Sequence, residues 1–457
     1  MIKGGERGAA PPQKIIPIEV KELFKLTDHE GITAQDVSFP TVAMDTDDLI
    51  CVRAKIAGAE QQSTKRSIIV VDVQNNKTLV KTNAHADSAI VNINKKWLGL
   101  KMGPGVQIFD LNKGASVNMI DFSEKKQFPQ LWKWIGPKTV AIVTNTSLHH
   151  WEIDESNKTG DLKEIFTRDV EETPSSVISY NTDPSKEAHI IISYAFGENN
   201  NVKGTGQLHH NGKTSKVDAH AAAFCNFKSL ESSNAASELL LFTSHRTTNL
   251  DAKLIIQSLT AKRPQTKTCP FKLQTPEDFP FMIEVVERVG CVFVLSKFGM
   301  IYLFDIESGT LIHKQKITSG QDSVFCGCKY RADPQRKMLE GVICITKAGA
   351  VVGVQIDFKL LMSNLMRSNQ QVIALKIASR MNLPNAEDLY WSHFDSLKSK
   401  KKTKEAIELV AKSPNGILRT QRAIDGFQQL GGETLMEYLQ YLENRGIDFN
   451  DIEAKHY

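Results

Sequence analysis

The feature that most constrains the fold of this chain is a strand-like pattern that recurs seven times. In each copy an apolar alternation ends near a polar or acidic residue and is followed by a turn-forming stretch, as in MIYLFDIESGTLI at residues 300–312. The seven equivalent positions, which lie 38 to 57 residues apart, are Asp72, Asp110, Glu152, His209, Gln257, Asp305 and Gln355. Periods of this length, with several short strands in each, are typical of β-propellers built from four-stranded sheets. The repeat therefore predicts an all-β, seven-bladed β-propeller.

Short strands separated by turn residues extend over residues 15–356. The hairpins are recognisable: the apolar runs 292–295 and 301–304, for example, flank the turn Ser-Lys-Phe-Gly. A single hairpin cannot bury both apolar faces, so the repeats are expected to stack radially into a closed ring. We therefore predict a propeller domain over 15–356, preceded by a flexible leader over 1–14.

The apolar period changes after Ile356, where helical spacing begins. Asn369 is a candidate N-cap for a helix over 372–381. Further helical patterns cover residues 386–394, 404–412, about 417–429 and 433–443. Helices of this length joined by short turns are typical of stacked αα-hairpins. Residues 357–457 are therefore predicted to form an α-helical solenoid linker, and we expect the natural chain to continue beyond it.

The composition is that of an ordinary soluble globular protein. The chain has 56 basic and 52 acidic residues, so its net charge is only +4, and a nucleic-acid-coating role is not indicated. The seven cysteines lie mostly in apolar runs, which favours free thiols in a reducing compartment. The sequence contains no signal-peptide core and no apolar run approaching 18 residues, so we expect a cytoplasmic location.

No sequence motif indicates an enzyme, a metal site or a cofactor. The segment 204–206, Gly-Thr-Gly, lacks the third glycine and the following helix of a dinucleotide site. The pairs His149-His150 and His209-His210 are adjacent on strands, so their side chains point to opposite faces and cannot converge on one ion. The chain is therefore expected to be non-catalytic, without metal or cofactor, and to serve as a platform for partners.

Segments spread over nearly the whole chain match one protein family in the same order. The most extended is KFGMIYLFDIESGT at 297–310. Shorter matches lie at 16–18, 86–90, 106–109, 132–135, 220–222, 278–280 and 416–420. These segments resemble the N-terminal domain of the clathrin heavy chain, at a distance expected of a divergent eukaryote. The architecture of that family, a seven-bladed propeller followed by a helical zigzag linker, agrees with the repeat count.

The resemblance implies a vesicle-coat component found at the cytoplasmic face of coated pits and coated vesicles. Its propeller would bind short acidic-hydrophobic motifs of endocytic adaptor proteins in grooves between blades, and its linker would connect to the coat lattice. Other heavy chains and light chains would bind through regions absent here, and membrane contact would be indirect. An alternative is another propeller-plus-solenoid coat scaffold, which would make no peptide-groove contacts.

The resemblance places a peptide groove between the first two blades. The residues that match its apolar walls, its glutamine and its phenylalanine are Leu98, Leu100, Gln107 and Phe109. The basic rim departs from the family pattern, since two rim lysines fall on Gly114 and Ser116. The nearby cations that remain as candidates are Lys81, Lys101 and Lys113. The alternative interpretation is that these four residues are simply strand core and surface.

Two further family sites have partial matches. In a depression at the top of the propeller, Phe39 and Ile178 match apolar residues and Ser176 replaces a glutamine. Between the fourth and fifth blades, the matching positions are Leu208 and Val217. A purely structural role for these residues is left open at both sites.

Overall fold

The repeated strands form seven four-stranded antiparallel sheets in the computed structural model of the chain, which confirms the predicted propeller. The structure describes residues 15–56, 65–169, 176–183, 188–198, 201–230, 237–248, 250–261, 266–320, 322–381, 386–413 and 416–444. The predicted leader over 1–14 lies outside these residues. In six sheets the four strands are consecutive in the chain, and we number these sheets blades 1 to 6. Blade 7 joins the two ends of the ring.

The first strand of each blade lies innermost, around the central channel. Blades 1 and 2 comprise β2 (Val42–Thr46), β3 (Leu49–Lys55), β4 (Lys65–Asp72), β5 (Lys77–His85), β6 (Ser88–Val91), β7 (Trp97–Met102), β8 (Gly105–Asp110) and β9 (Ala115–Asp121). Blades 3 and 4 comprise β10 (Pro129–Trp134), β11 (Thr139–Thr144), β12 (Ser147–Glu152), β13 (Asp161–Thr167), β14 (Ser176–Thr182), β15 (His189–Glu198), β16 (Asn201–His210) and β17 (Lys213–Val217). Blades 5 and 6 comprise β18 (Ala221–Phe227), β19 (Glu238–Arg246), β20 (Asp251–Ser258), β21 (Thr266–Lys272), β22 (Pro280–Val286), β23 (Cys291–Ser296), β24 (Met300–Asp305) and β25 (Leu311–Lys316). Blade 7 comprises β26 (Val324–Tyr330), β27 (Met338–Thr346), β28 (Ala350–Asp357) and β1 (Ile18–Lys25).

Blade 7 closes the ring because its outer strand comes from the other end of the chain. The strand β1 runs antiparallel to β28, and Ile18 pairs with Ile356. A side-chain contact reinforces the closure: the guanidinium of Arg331 donates two hydrogen bonds of 2.8 Å to the carboxylate of Asp47 in blade 1. Joining the ends in this way leaves no terminal blade whose face would lie open to solvent.

The middle strands of the blades are apolar throughout because sheets cover both of their faces. Every residue of β23 and β24 is buried, and Phe293 and Tyr302 are fully enclosed. The turn between these strands requires glycine. Gly299 has a φ of +75°, and a Cβ at this position would lie 2.3 Å from the Cγ2 of Thr318. Tight turns of this kind allow the strands to follow one another at the short spacing seen in the sequence.

Six helices follow the propeller within the described residues, in agreement with the predicted solenoid. They are α1 (Phe358–Arg367), α2 (Gln371–Arg380), α3 (Ala386–Ser399), α4 (Thr403–Ala411), α5 (Gln421–Leu430) and α6 (Gly432–Asn444). The carboxylate of Asp357 caps α1 by accepting a hydrogen bond of 2.9 Å from the amide of Leu360. The prediction that Asn369 caps the next helix is wrong. Asn369 adopts a φ of +59° in the turn, and Gln370 occupies the N-cap position of α2.

The first two helices pack directly on the propeller. Leu361 and Leu365 of α1, with Ile373 and Ile377 of α2, share one apolar cluster with buried residues of blades 6 and 7. The helices α3 to α6 form a separate cluster that includes Trp391. No helix among the described residues is long and apolar enough to cross a membrane.

A buried ion cluster also joins α2 to the propeller. Glu307, in the turn after β24, pairs with both Lys376 and Arg380 of α2, and all three side chains are at most 13% exposed. The guanidinium of Arg380 also lies 4.3 Å from the ring centroid of Phe227 and donates a 3.1 Å hydrogen bond to the carbonyl of Lys228. Blades 5 and 6 thus both contact α2 at this joint.

Candidate functional site

A groove with a volume of about 620 Å³ opens between blade 1 and blade 2. Its walls come from β5 on one side and from β7, β8 and β9 on the other. The four residues identified from the sequence, which all line this groove, are Leu98, Leu100, Gln107 and Phe109. The fold therefore brings together side chains from two strands at one open surface.

Strand register explains why these four side chains converge. Leu98 pairs with Phe109 and Leu100 pairs with Gln107 across β7 and β8. Directly paired residues lie on the same face of a sheet, and residues two apart share that face. Leu98 and Leu100 are buried, Phe109 packs against the same apolar cluster, and the Nε2 of Gln107 donates a 2.8 Å hydrogen bond to the Oγ of Ser116. The groove walls are therefore held in place before any ligand binds.

The three candidate cations do not line the groove. Lys101 alternates with Leu100 along β7, so its side chain points to the opposite face, where it lines the central cavity. The Nζ of Lys113 lies 3.4 Å from the carboxylate of Glu155 in blade 3. The Nζ of Lys81 lies 3.0 Å from the carboxylate of Glu30. Strand alternation and nearer carboxylates thus direct these lysines away from the groove.

Several residues that line the groove were not predicted from the sequence. Val80, Thr82 and Ala84 form the blade 1 wall, and Met102 and Met119 form part of the blade 2 side. Strand alternation predicts that positions 80, 82 and 84 share one face of β5. Their position opposite blade 2 depends on how the blades pack, which the sequence pattern does not contain.

The central cavity, of about 540 Å³, is lined by the innermost strands of all seven blades. Phe39, which is 44% exposed, and Ile178 both line it, as the resemblance implied for the top depression. Ser176 does not line it; the residue is exposed at the start of β14. The structure thus brings together two of the three residues predicted for this site.

The central cavity also carries charged groups of both signs. Asp45 and Glu284 line it, as do Lys133 and Lys329. Burial raises the pKa of Glu284 to about 7, an effect that the two lysines only partly offset. Burial likewise raises the pKa of Asp45, whose Oδ2 accepts a 3.0 Å hydrogen bond from the amide of Trp134. The cavity therefore carries ionisable groups of both signs, and burial favours the neutral form of its two most buried carboxyl groups.

The third predicted site lies in the core. Leu208 is 7% exposed and belongs to an apolar cluster that includes Ile191 and Leu241. Val217 packs against the same cluster. These side chains pack between blades 4 and 5, where Leu208 is buried and Val217 remains partly exposed.

Comparisons with known proteins identify the family. The Clathrin-H-link family model matches residues 382–443. Clathrin heavy chain 1 of Oryza sativa subsp. japonica is 30% identical over 456 residues, covering 94% of this chain and 25% of the relative. Probable clathrin heavy chain 1 of Caenorhabditis elegans is 30% identical over 447 residues, with the same two coverages. Clathrin heavy chain 2 of Homo sapiens is 27% identical over 456 residues, covering 96% of this chain and 26% of the relative.

The chain spans about a quarter of the length of the curated relatives it matches. Nearly all of the chain is covered in these matches, and both the propeller and the following helices are present in the structure. The colinear segments, the seven blades and the linker match therefore agree. The chain belongs to the clathrin heavy chain family and corresponds to its N-terminal propeller with the start of the helical linker.

Proposed function

We propose that this chain is the adaptor-binding part of a clathrin-type vesicle coat. In this proposal it is a non-enzymatic module, whose propeller binds short linear peptide motifs and whose helices connect it to the coat lattice. The observation that carries the proposal is the convergence of Leu98, Leu100, Gln107 and Phe109 on an open groove between blades 1 and 2. Family membership supports the role in a coat.

An extended adaptor peptide would bind by placing alternate apolar side chains into the groove. Three apolar anchors contribute roughly 1.5–3 kcal/mol each when fully buried. Ordering a disordered tail opposes this by roughly 2–5 kcal/mol, so the net affinity should be weak, with a dissociation constant between about ten micromolar and millimolar. Weak single contacts suit a lattice, because many linked sites raise avidity while each contact still dissociates quickly.

The proposed partners are endocytic and trafficking adaptors that carry acidic-hydrophobic motifs. Their apolar residues would provide the affinity, because no lysine or arginine among the described residues lines the groove. Contact with membranes would be indirect, and the protein would act at the cytoplasmic face of coated pits and coated vesicles. We extend the proposal to the central cavity at Phe39 and Ile178, but not to Leu208 and Val217, which pack in an apolar cluster.

Replacing Phe109 with alanine is expected to weaken peptide binding by about tenfold, because a large apolar contact in the groove is lost. Gln107→Ala should weaken binding by about threefold, since one hydrogen-bonding side chain is removed. The measurement is fluorescence polarisation with a labelled, leucine-rich acidic peptide. Phe128→Ala is the matched control, because Phe128 is 54% exposed and lies outside the groove lining.

Each variant should remain folded at the temperature of the binding assay, which a thermal unfolding curve checks and which separates a binding defect from a folding defect. Absence of binding at millimolar protein would favour a scaffold role without peptide contacts. Equal affinities for the Phe109→Ala, Gln107→Ala and Phe128→Ala variants would show that the peptide binds elsewhere.

Salt should have little effect on peptide binding. Because no lysine or arginine lines the groove in the part of the chain that the structure describes, raising NaCl from about 50 to 500 mM is expected to change the dissociation constant by less than about twofold. The corresponding region of the Caenorhabditis elegans relative is a suitable comparison in the same titration. A steep loss of affinity with salt in this chain would contradict the prediction.

A further inference from the structure

The net positive charge of this chain is concentrated in one turn of the helical linker. Residues 398–405 contain five lysines and one glutamate, so this segment alone carries the +4 net charge of the whole chain. We call it the lysine turn, and its cations, which lie at the end of α3, in the connection and at the start of α4, are Lys398, Lys400, Lys401, Lys402 and Lys404. The rest of the chain is therefore formally neutral at pH 7.

The ends of the two helices do not account for these lysines. The last carbonyls of α3, at Ser396, Leu397 and Lys398, already accept hydrogen bonds of 3.2, 3.0 and 3.1 Å from backbone amides of the turn. The N-terminal end of α4 has a partial positive charge of its own, so lysines beside it are unfavourable. Like charges on neighbouring positions also repel one another. Helix stability thus favours fewer lysines here than the sequence contains.

Most ammonium groups of the lysine turn are available to a ligand. Lys402 pairs with the carboxylate of Glu405 at 2.8 Å. The Nζ of Lys398 donates a 3.0 Å hydrogen bond to the Oε1 of Gln429 in α5. The exposed lysines whose side chains contact no partner among the described residues are Lys400, Lys401 and Lys404. The turn therefore presents three unneutralised positive charges to solvent.

A groove with a volume of about 520 Å³ lies beside the lysine turn, between α3 and α5. Lys398 and Arg422 both line it. Its two carboxylates already have partners: Asp395 lies 3.3 Å from the guanidinium of Arg422, and Asp425 accepts a 2.8 Å hydrogen bond from the Nε2 of Gln421. A concave surface thus continues from the unpaired lysines.

An extended peptide fits this region better than a membrane surface does. The backbone of a peptide can lie in a groove, whereas a lipid bilayer cannot enter it. Surfaces that bind membranes typically combine basic side chains with exposed large apolar ones that insert among the lipids. None of the large apolar side chains that the structure describes in α3, α4 and α5 is exposed. Charge is therefore the main property that a ligand would have to match.

We infer that the lysine turn and the adjoining groove bind an acidic, extended segment of a partner protein. Segments rich in acidic residues are disordered when free, so they can follow a curved surface. Their carboxylates would pair with Lys400, Lys401 and Lys404, and this would relieve the repulsion within the turn. The inference goes beyond the proposed function, because it concerns the linker and does not depend on the groove between blades 1 and 2.

The test uses the whole chain and a labelled peptide in which six glutamates alternate with serines. In fluorescence polarisation at low salt this peptide should bind, whereas the same peptide with glutamines in place of the glutamates should not. Raising NaCl from about 50 to 500 mM should weaken binding by about tenfold or more. Replacing Lys400, Lys401 and Lys404 together with glutamine should also weaken it by about tenfold, because three charge pairs are lost.

The matched control replaces Lys158, Lys213 and Lys314 together with glutamine. These exposed lysines belong to three different blades, so the control changes the net charge equally and leaves the lysine turn intact. It should change the affinity by less than about twofold, because salt screens distant exposed charges. The variant of the lysine turn should unfold at no lower temperature than the unmodified chain, since like charges have been removed from one turn.

Equal losses of affinity in the two triple variants would overturn the inference, because they would reflect net charge alone. Failure of the glutamate peptide to bind would overturn it as well. Co-sedimentation with phosphatidylserine vesicles separates two sources of negative charge: binding of vesicles but not of the peptide would assign the turn to a membrane instead. The peptide has no apolar anchors, so these results leave the proposed function untouched, and repeating the leucine-rich peptide titration with the variant of the lysine turn keeps the two sites apart.

Discussion

Replacing Glu307 with glutamine is expected to destabilise the docking of the helices on the propeller by about 3 kcal/mol. Lys376 and Arg380 both pair with this carboxylate in a buried environment. Removing one member of a buried ion cluster leaves uncompensated charge away from water, which is more costly than losing an exposed pair. Hydrogen exchange measures the effect directly: amides of α2 should exchange about 100-fold faster in the variant.

The same carboxylate should make this joint sensitive to acid. Burial alone would raise the pKa of Glu307, but Lys376 and Arg380 outweigh burial and lower the pKa below its ordinary value of 4.5. Since the folded-state pKa lies below the unfolded one, the stabilisation is fully present above about pH 4.5 and is lost as the pH falls through the folded value. Small-angle scattering should therefore show detachment of the helices in acid.

Glu405→Gln is the control for the Glu307 variant. The carboxylate of Glu405 lies 2.8 Å from the Nζ of Lys402, but these side chains are 58% and 47% exposed. Exposed pairs of this kind contribute about 0.5 kcal/mol or less, so α2 exchange should be unchanged. Similar exchange rates in the two variants would show that the buried cluster does not hold the joint together.

Replacing Gly341 with alanine is expected to destabilise blade 7 by about 3 kcal/mol. Gly341 lies beside a bulge in β27 and pairs with Gln355 of β28. A Cβ at this position would lie 1.9 Å from the carbonyl oxygen of Val354 and 3.0 Å from the Cα of Gln355. Both neighbours are backbone atoms, so the two strands would have to separate. A lower thermal unfolding midpoint is the expected readout.

Gly197→Ala is the control for the Gly341 variant, because it places the same substitution in another strand. Gly197 is exposed in β15, and a Cβ there would meet no atom within 4 Å. Alanine at such a site restricts the unfolded chain and is expected to be neutral or slightly stabilising. Unfolding midpoints that match for the Gly341 and Gly197 variants would contradict the proposed backbone clash.

Much of the fold was predictable because its signals are local. The repeat positions Asp72, Asp110, Glu152, His209, Gln257, Asp305 and Gln355 all lie on the third strand of their blades, counted outward. Each blade uses the same succession of strands and turns, so equivalent residues recur at a similar spacing. The switch to helices after Ile356 was also visible, since the apolar period changes there. The prediction that Asn369 is an N-cap was wrong, because the turn before a helix can adopt several conformations and the local sequence does not distinguish them.

The candidate site was predictable only in part. Leu98, Leu100, Gln107 and Phe109 were identified, since the family resemblance covers β7 and β8. The blade 1 wall and the methionines were not identified, because their place in the groove depends on packing between blades. The direction of the Lys101 side chain could be predicted from alternation along its strand. The pairing of Lys113 with Glu155 could not, because it depends on where blade 3 lies relative to blade 2.

The number of blades, the succession of strands and the change to helices could be read from the amino-acid sequence, because alternation and period are properties of neighbouring residues. The closure of the ring, the lining of the groove and the attachment of the helices depend on the three-dimensional packing. Arg331 contacts Asp47 across 284 positions of sequence, and Glu307 contacts Lys376 across 69. Such contacts depend on the packing of whole blades, and no local pattern specifies which distant side chains will meet.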